Sequence, residues 1–235
     1  MDRQRKPMKK LLISGGKLLL AGVILTSFTN RLNAAATLTL YDGVNPLITV
    51  VDNGSGDMFG ATGAILVATN VGVWNLTISS AITKPLFGTS TDPVMDLGIT
   101  ASSTAAGSLR FVFSDNDFGP ATGLLIATVD GQVNGAPASV TYDVYGDPAN
   151  VVGATTVHIA STGTTPLPTT ATGSGPLAYY APPFSLTQVE TLVADGPTTI
   201  NADASLQVVP EPGVVGLGAL GLAMFVLGRF QRRQA

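Results

Sequence analysis

The chain has no cysteine, one histidine and one tryptophan among its 235 residues. Without cysteine there are no disulfides, no thiolate nucleophile, no cysteine-based zinc site and no acylated cysteine of a lipoprotein; stability rests on packing, hydrogen bonds or bound ions. A single histidine excludes three-histidine metal sites and leaves His158 as the sole imidazole for a Ser-His-Asp hydrolase. That residue stands in "TTVHIA", between Val157 and Ile159, with no G-x-S-x-G elsewhere, so a strand histidine turned to solvent is expected. Cations are scarce where the domain should be: residues 37 to 212 hold only Lys84 and Arg110 against fourteen carboxylates, a formal charge of −12. Such a segment repels polyanions, which argues against nucleic acid as a partner. Long apolar runs are lacking too, the longest being the sixteen residues from Gly213 to Gly228.

The ten remaining cations mark the two ends. Residues 1 to 17 form a basic leader, and "LLLAGVILTSF", Leu18 to Phe28, is an apolar stretch of eleven. That is too short to cross about 30 Å of hydrocarbon at about 1.5 Å per residue, and it reads as the core of a signal peptide handled by Sec-type export and signal peptidase. Small residues in "RLNAAAT" allow cleavage after Ala34 or after Ala36, giving a signal peptide over 1–36. At the other end, Gly213 to Gly228 would reach only about 24 Å as a helix, a marginal transmembrane span. Arg229, Arg232 and Arg233 follow it and should stay on the cytoplasmic side, placing Pro210, Glu211 and Pro212 at the outer surface. Two prolines forbid a helix there and hold the triplet extended, the conformation that proteases grip.

"VPEP", a Gly/Leu/Ala-rich span and a terminal arginine cluster together resemble the PEP-CTERM sorting signal of exported proteins in Gram-negative bacteria. The resemblance covers residues 209–235. It implies that an exosortase, a multi-pass membrane cysteine protease, recognises Pro210, Glu211 and Pro212 while residues 213–228 sit transiently in the membrane. Arg229, Arg232 and Arg233 would be the basic stop. Release or transfer to the cell envelope, the outer surface or extracellular polysaccharide would follow. Phe230 and Gln231 break an arginine cluster that is continuous in many relatives.

Between the ends, short apolar runs are punctuated by Gly, Pro, Asn and Asp. "TINADASLQV" sets Ile200, Ala202, Ala204, Leu206 and Val208 against Asn201, Asp203, Ser205 and Gln207, the two-residue period of a half-buried strand. "WNLTIS" and "SVTYDVY" alternate likewise, and seven further candidates bring the number to about ten. No sustained helical stripe occurs. The expected fold is all-β: one antiparallel β-sandwich, jelly-roll-like, over residues 37–208. The Thr/Gly/Pro-rich stretch 161–183 lacks periodicity and reads as one long loop. "DMFGATGAILVATNVG" and "NDFGPATGLLIATVDG" echo one another, either as a duplicated unit with one copy in each sheet or as shared strand-entry chemistry.

Two Asp-rich loops are the best candidates for bound calcium, the only cofactor expected to be possible. "VDNGSGD" offers Asp52 and Asp57, and "SDNDFG" offers Asp115 and Asp117, hard oxygen ligands on glycine-containing loops that lack EF-hand spacing. Such runs are also ordinary turns. Tyr179 and Tyr180, beside prolines, could stack on a sugar ring or simply pin their loop. No catalytic constellation is visible, so a non-enzymatic surface or matrix protein, associated with biofilm or exopolysaccharide, is the favoured expectation. A carbohydrate-binding module is the alternative, and a hydrolase working through paired carboxylates is a third. Ice binding would need a regular threonine ladder, and the threonines cluster in loops instead.

Overall fold

The structure, a computed structural model, describes residues 36–45, 47–177 and 182–209. The predicted signal peptide, the sorting segment with Pro210, Glu211, Pro212 and the arginine stop, and the Tyr179–Tyr180 pair lie outside the described residues.

Twelve strands follow in order: β1 (Thr37–Tyr41), β2 (Ile48–Val51), β3 (Ala64–Val71), β4 (Trp74–Ile82), β5 (Val94–Ser103), β6 (Gly107–Phe118), β7 (Gly123–Gly135), β8 (Ala138–Asp147), β9 (Val157–Pro166), β10 (Thr169–Leu177), β11 (Phe184–Ala194) and β12 (Thr198–Val209). They form two six-stranded antiparallel sheets, sheet I in the order β2-β1-β6-β11-β8-β9 and sheet II in the order β10-β7-β12-β5-β4-β3. The expected antiparallel sandwich is therefore present, and the described residues hold no helix. Seven of the eleven connections cross from one sheet to the other, so most sheet neighbours are distant in sequence.

Alternation builds the core. β5, β8 and β12 bury every second side chain, as strands do when one face meets another sheet and the other meets water. Sheet I turns Leu38, Leu40, Leu109, Phe111, Phe113 and Tyr142 inward, while the middle of sheet II answers with Ala101, Ala127, Ala202 and Ala204. Large against small lets the layers close at interior density, and each fully buried large side chain contributes about 1.5–3 kcal/mol. Trp74 is buried, and its indole N–H donates to the Ser108 carbonyl at 3.2 Å. β11 is buried at seven successive residues from Phe184 to Glu190. The β8–β9 connection folds over its outer side, where the Ser185 hydroxyl donates to the Val151 carbonyl at 2.8 Å.

Two strands went unread in the sequence. β5 carries Asp96 and Gly98 on its outer face, residues that resemble turn chemistry although Met95, Leu97, Ile99 and Ala101 alternate inward. The stretch read as one loop, 161–183, instead completes β9 and forms β10. The reason is steric: a Cβ at Gly173 or Gly175 would collide with the carbonyl oxygens of Ser161 and Ile159. Glycine there lets the edge strands of the two sheets touch backbone to backbone, and the intervening threonines favour extended chain. The echoing segments enter β3 and β7, both in sheet II and not one in each sheet. Phe59 is exposed whereas Phe118 is buried, so the echo stops short of common packing.

The two ends of the sandwich differ. Connections 42–47, 72–73, 104–106, 136–137, 167–168 and 195–197 are short and lie at one end, the turn end. Connections 52–63, 83–93, 119–122 and 148–156 lie at the other, the loop end, where β10 also ends and β11 begins. The chain also enters at Ala36 and leaves at Val209 on the loop end. Ala36 is buried, and its carbonyl accepts the Asp52 N–H at 2.9 Å, so the sandwich begins one residue earlier than expected.

Candidate functional site

The outer face of sheet II carries a polar trough. On β12, Asn201 and Asp203 point away from the core, because Ala202 and Ala204 point into it. Asp203 stands directly opposite Asp130 of β7 on one side and Gly98 of β5 on the other, and Ser80 of β4 follows Gly98. Gln132 of β7 and Thr100 of β5 extend the row, and the depression spans four strands with a volume of about 410 Å³. Gly98 makes its floor: a Cβ there would lie 3.0 Å from the Ser80 hydroxyl and 3.7 Å from Asp203 Oδ1. The Thr100 hydroxyl donates to Asn201 Oδ1 at 3.0 Å, and Ser102 and Thr199 share a hydrogen bond of 2.9 Å beyond it.

Electrostatically the trough is one-sided. Asp96, two residues before Gly98 on β5, is held up to about 6 by burial and secondly by Asp203. Asp203 is raised by burial and then by Asp130. Like charges directly opposite on neighbouring strands destabilise a sheet, and no lysine, arginine or histidine lines this depression. What it offers is a row of acceptors, from carboxylates and amide oxygens, interleaved with hydroxyl and amide donors. That chemistry suits a hydroxyl-rich or cationic ligand and repels an anionic one. None of the lining residues is aromatic, so stacking on a sugar face is not part of this surface.

The four calcium candidates reach the loop end but are occupied by protein donors. Asp52 accepts the Gly63 N–H at 2.7 Å and the Asn53 amide at 2.9 Å. Asp57 accepts the N–H groups of Asn53, Phe59 and Leu66. Asp115 accepts the Thr83 hydroxyl at 2.9 Å and the Lys84 ammonium at 2.6 Å, and Lys84 also lies 4.3 Å from the Phe118 ring centroid. Burial raises the Asp115 pKa more than Lys84 and Thr83 lower it. Asp117, at φ +57°, exchanges hydrogen bonds with the Asn150 side chain. The β2–β3 and β4–β5 connections are joined by the Thr83 N–H on the Gly63 carbonyl at 2.8 Å. These carboxylates staple loops, and among the described residues no group of three His, Asp or Glu could hold a metal ion. His158 is solvent-facing as expected, 3.2 Å from Asp143 and edge-on to Tyr145.

The trough escaped the sequence reading for one reason. The polar row Asn201, Asp203, Ser205 was legible on β12, but its partner β5 was not, so nothing placed Asp96 and Gly98 beside it.

Comparison with known proteins gives no family. No protein-family model matches the chain, and no curated protein matches it. Among solved structures, the enzymatically active domain of the tailspike protein 4 of bacteriophage CBA120 aligns with 60% of this chain at 12% identity and a TM-score of 0.31. The chain spans 20% of that domain's length. A carbohydrate-binding module of promiscuous specificity from the β-sandwich superfamily aligns with 72% of the chain and 82% of its own length, at 14% identity and a TM-score of 0.29. A mannan-recognising module, TmCBM27, aligns over 62% of the chain and 99% of its own, at 12% identity and a TM-score of 0.25.

Proposed function

We propose that the chain is an exported, non-enzymatic surface protein that holds a neutral polysaccharide along the outer face of sheet II. The observation that carries the reading is the four-strand trough of Asp130, Gln132, Asn201, Asp203, Gly98, Thr100 and Ser80. A sheet face is rigid, and its polar side chains stand in rows matched to an extended polymer, whose hydroxyls can donate to the carboxylates and accept from the amides. Tyr179 and Tyr180, on the connection between β10 and β11, are the second candidate contact. Affinity electrophoresis tests the proposal, using a β-glucan, a mannan and a galactan as neutral polymers and a polyuronate as anionic control. Retardation by at least one neutral polymer is expected, with none by the polyuronate. Asp203→Ala and Gln132→Ala should each weaken it about tenfold, the scale of one lost charge-assisted hydrogen bond. Retardation by no neutral polymer, or by one but unchanged in both variants, would reject the trough as the site. Cleavage of any polymer would reject the non-enzymatic reading.

Residues 209–235 are read as the sorting signal, with export, membrane residence and exosortase processing following from it. Retention of Ala36 in the sandwich favours signal-peptide cleavage after Ala34. Mass spectrometry of exported protein should find a chain that starts at Ala35 and ends near Pro212. An intact terminus with Arg232 and Arg233 would contradict the sorting reading.

A further inference from the structure

The loop end gathers the apolar side chains that the sandwich leaves uncovered. Met58 and Phe59 on the β2–β3 connection are 64% and 47% exposed, and Leu86 and Phe87 on the β4–β5 connection 53% and 44%. Leu124 and Val209, opposite one another on β7 and β12, add an exposed pair at the same end. Among the described residues only Val44, Leu47 and Val193 are large, apolar, exposed and nearer the turn end. The connections that carry the patch are tied together: Thr83 N–H to the Gly63 carbonyl at 2.8 Å, Gly119 N–H to Ser90 at 2.6 Å, and Val208 N–H to Pro93 at 3.3 Å. A tied cluster of exposed Met, Phe and Leu marks an interaction surface, whereas single exposed apolar residues do not.

Its occupant follows from where the chain leaves. Val209 ends β12 at this end, and after three intervening residues the sixteen-residue run without a polar side chain begins. Three extended residues reach about 10 Å. With that run in hydrocarbon, the loop end is held within about 10 Å of the bilayer. Charge points to apolar rather than electrostatic contact: Lys84 is taken by Asp115 and the Asn116 carbonyl, and Asp92 is an exposed acid.

We propose that the loop end is a membrane-contacting surface, with Met58, Phe59, Leu86 and Phe87 entering the interfacial layer of the bilayer while the C-terminal run is inserted. The proposal rests on reading residues 213–228 as a membrane-inserting segment. Four apolar side chains without cationic support make a reversible foothold, one that keeps the domain upright beside its tail and releases it once the tail is removed.

The absence of cysteine makes the test direct. Single variants Met58→Cys, Leu86→Cys, Ala105→Cys at the turn end and Ala223→Cys in the tail are labelled with an environment-sensitive fluorophore in the full chain. Each is reconstituted into phosphatidylcholine vesicles and titrated with aqueous iodide. Labels at 58 and 86 should shift to the blue and quench several-fold less than the label at 105, with or without added salt. A Phe59→Ser, Phe87→Ser double variant should restore quenching at both. Labels at 58 and 86 as quenchable as at 105, with 223 protected, overturn the contact surface and leave the tail reading standing. Quenching at 58, 86 and 223 alike overturns both. Protection at 58 and 86 with 223 quenched supports the surface and rejects the tail reading. Protection that appears without vesicles and grows with protein concentration assigns the patch to a second copy and overturns the bilayer.

Discussion

Asp115 and Glu190 are both buried carboxyl groups, in neighbouring strands of sheet I, yet their surroundings are opposite. Asp115 lies toward the loop end, where an ammonium, a hydroxyl and a backbone N–H converge on it. Glu190 lies in mid-sandwich between its strand partners Phe111 and Tyr142, and neither of its oxygens has a hydrogen-bond partner. Tyr142 Oη and Gln188 Oε1 are likewise unpaired. Burial raises the Glu190 pKa well above its ordinary value, with Asp203 across sheet II adding to it. The loop end thus offsets part of the burial of its acid with a cation, whereas the core supplies its acid with no partner and burial favours the neutral form. The first arrangement ties the β4–β5 connection to β6 through one charge. The second is a permanent cost, borne because the rest of the interior is well packed.

Breaking the first arrangement should have the largest effect. Lys84→Ala leaves Asp115 buried without its cation and should destabilise the domain by about 3–5 kcal/mol in chemical denaturation. Asp115→Asn in the same background should recover part of the loss; no recovery would mean that Lys84 acts through packing on Phe118 alone.

Removing the second should move stability the other way. Glu190→Gln should stabilise the domain by about 1–3 kcal/mol at neutral pH, because the amide carries no charge for burial to oppose. The pH dependence has a definite sign. Glu190, Asp96 and Asp203 all have folded-state pKa values above their unfolded ones. Their contribution is present in full below the unfolded values and is lost as pH rises through the folded ones. Melting temperature should therefore rise as pH falls from 7 toward 5, with Asp96 contributing across the interval below its value of about 6. Glu190→Gln should flatten that slope, and an equal slope in the variant would show that Glu190 is charged in the fold.

The trough sharpens the contrast with a third case, acids that are neither paired nor dry. Asp203→Asn should change stability by no more than about 0.5 kcal/mol, as surface substitutions do. It should also draw the Asp96 carboxyl down from about 6, a shift that carbon-detected NMR titration would read directly.

Much of this was legible before the structure, and the failures have particular causes. Strict alternation exposed β8 and β12, since Val140, Tyr142 and Val144 had to share a face. Nothing local announced Glu190 as interior, because "TQVETLV" buries both faces of one strand and a carboxylate reads as solvent-facing by default. Asp52 and Asp57 lie on a connection as expected, whereas Asp115 and Asp117, read as loop residues, lie in the last residues of β6; a carboxylate that binds an ion and one that accepts protein donors look the same in a sequence. β10 was lost because glycine chosen for close backbone approach is indistinguishable from glycine chosen for a turn.

The position of β12 has a further consequence, in time rather than space. It is the last strand of the sandwich, yet it lies in the middle of sheet II and is the sole link between β7 with β10 and β5 with β4 and β3. Until Thr198–Val209 has emerged, half of that sheet has nothing to pair with the other half, and loop closure over a hundred residues must wait. A chain that emerges N-terminus first therefore cannot complete sheet II until its final strand arrives, and the strand that completes the domain is the one that runs directly into "VPEP".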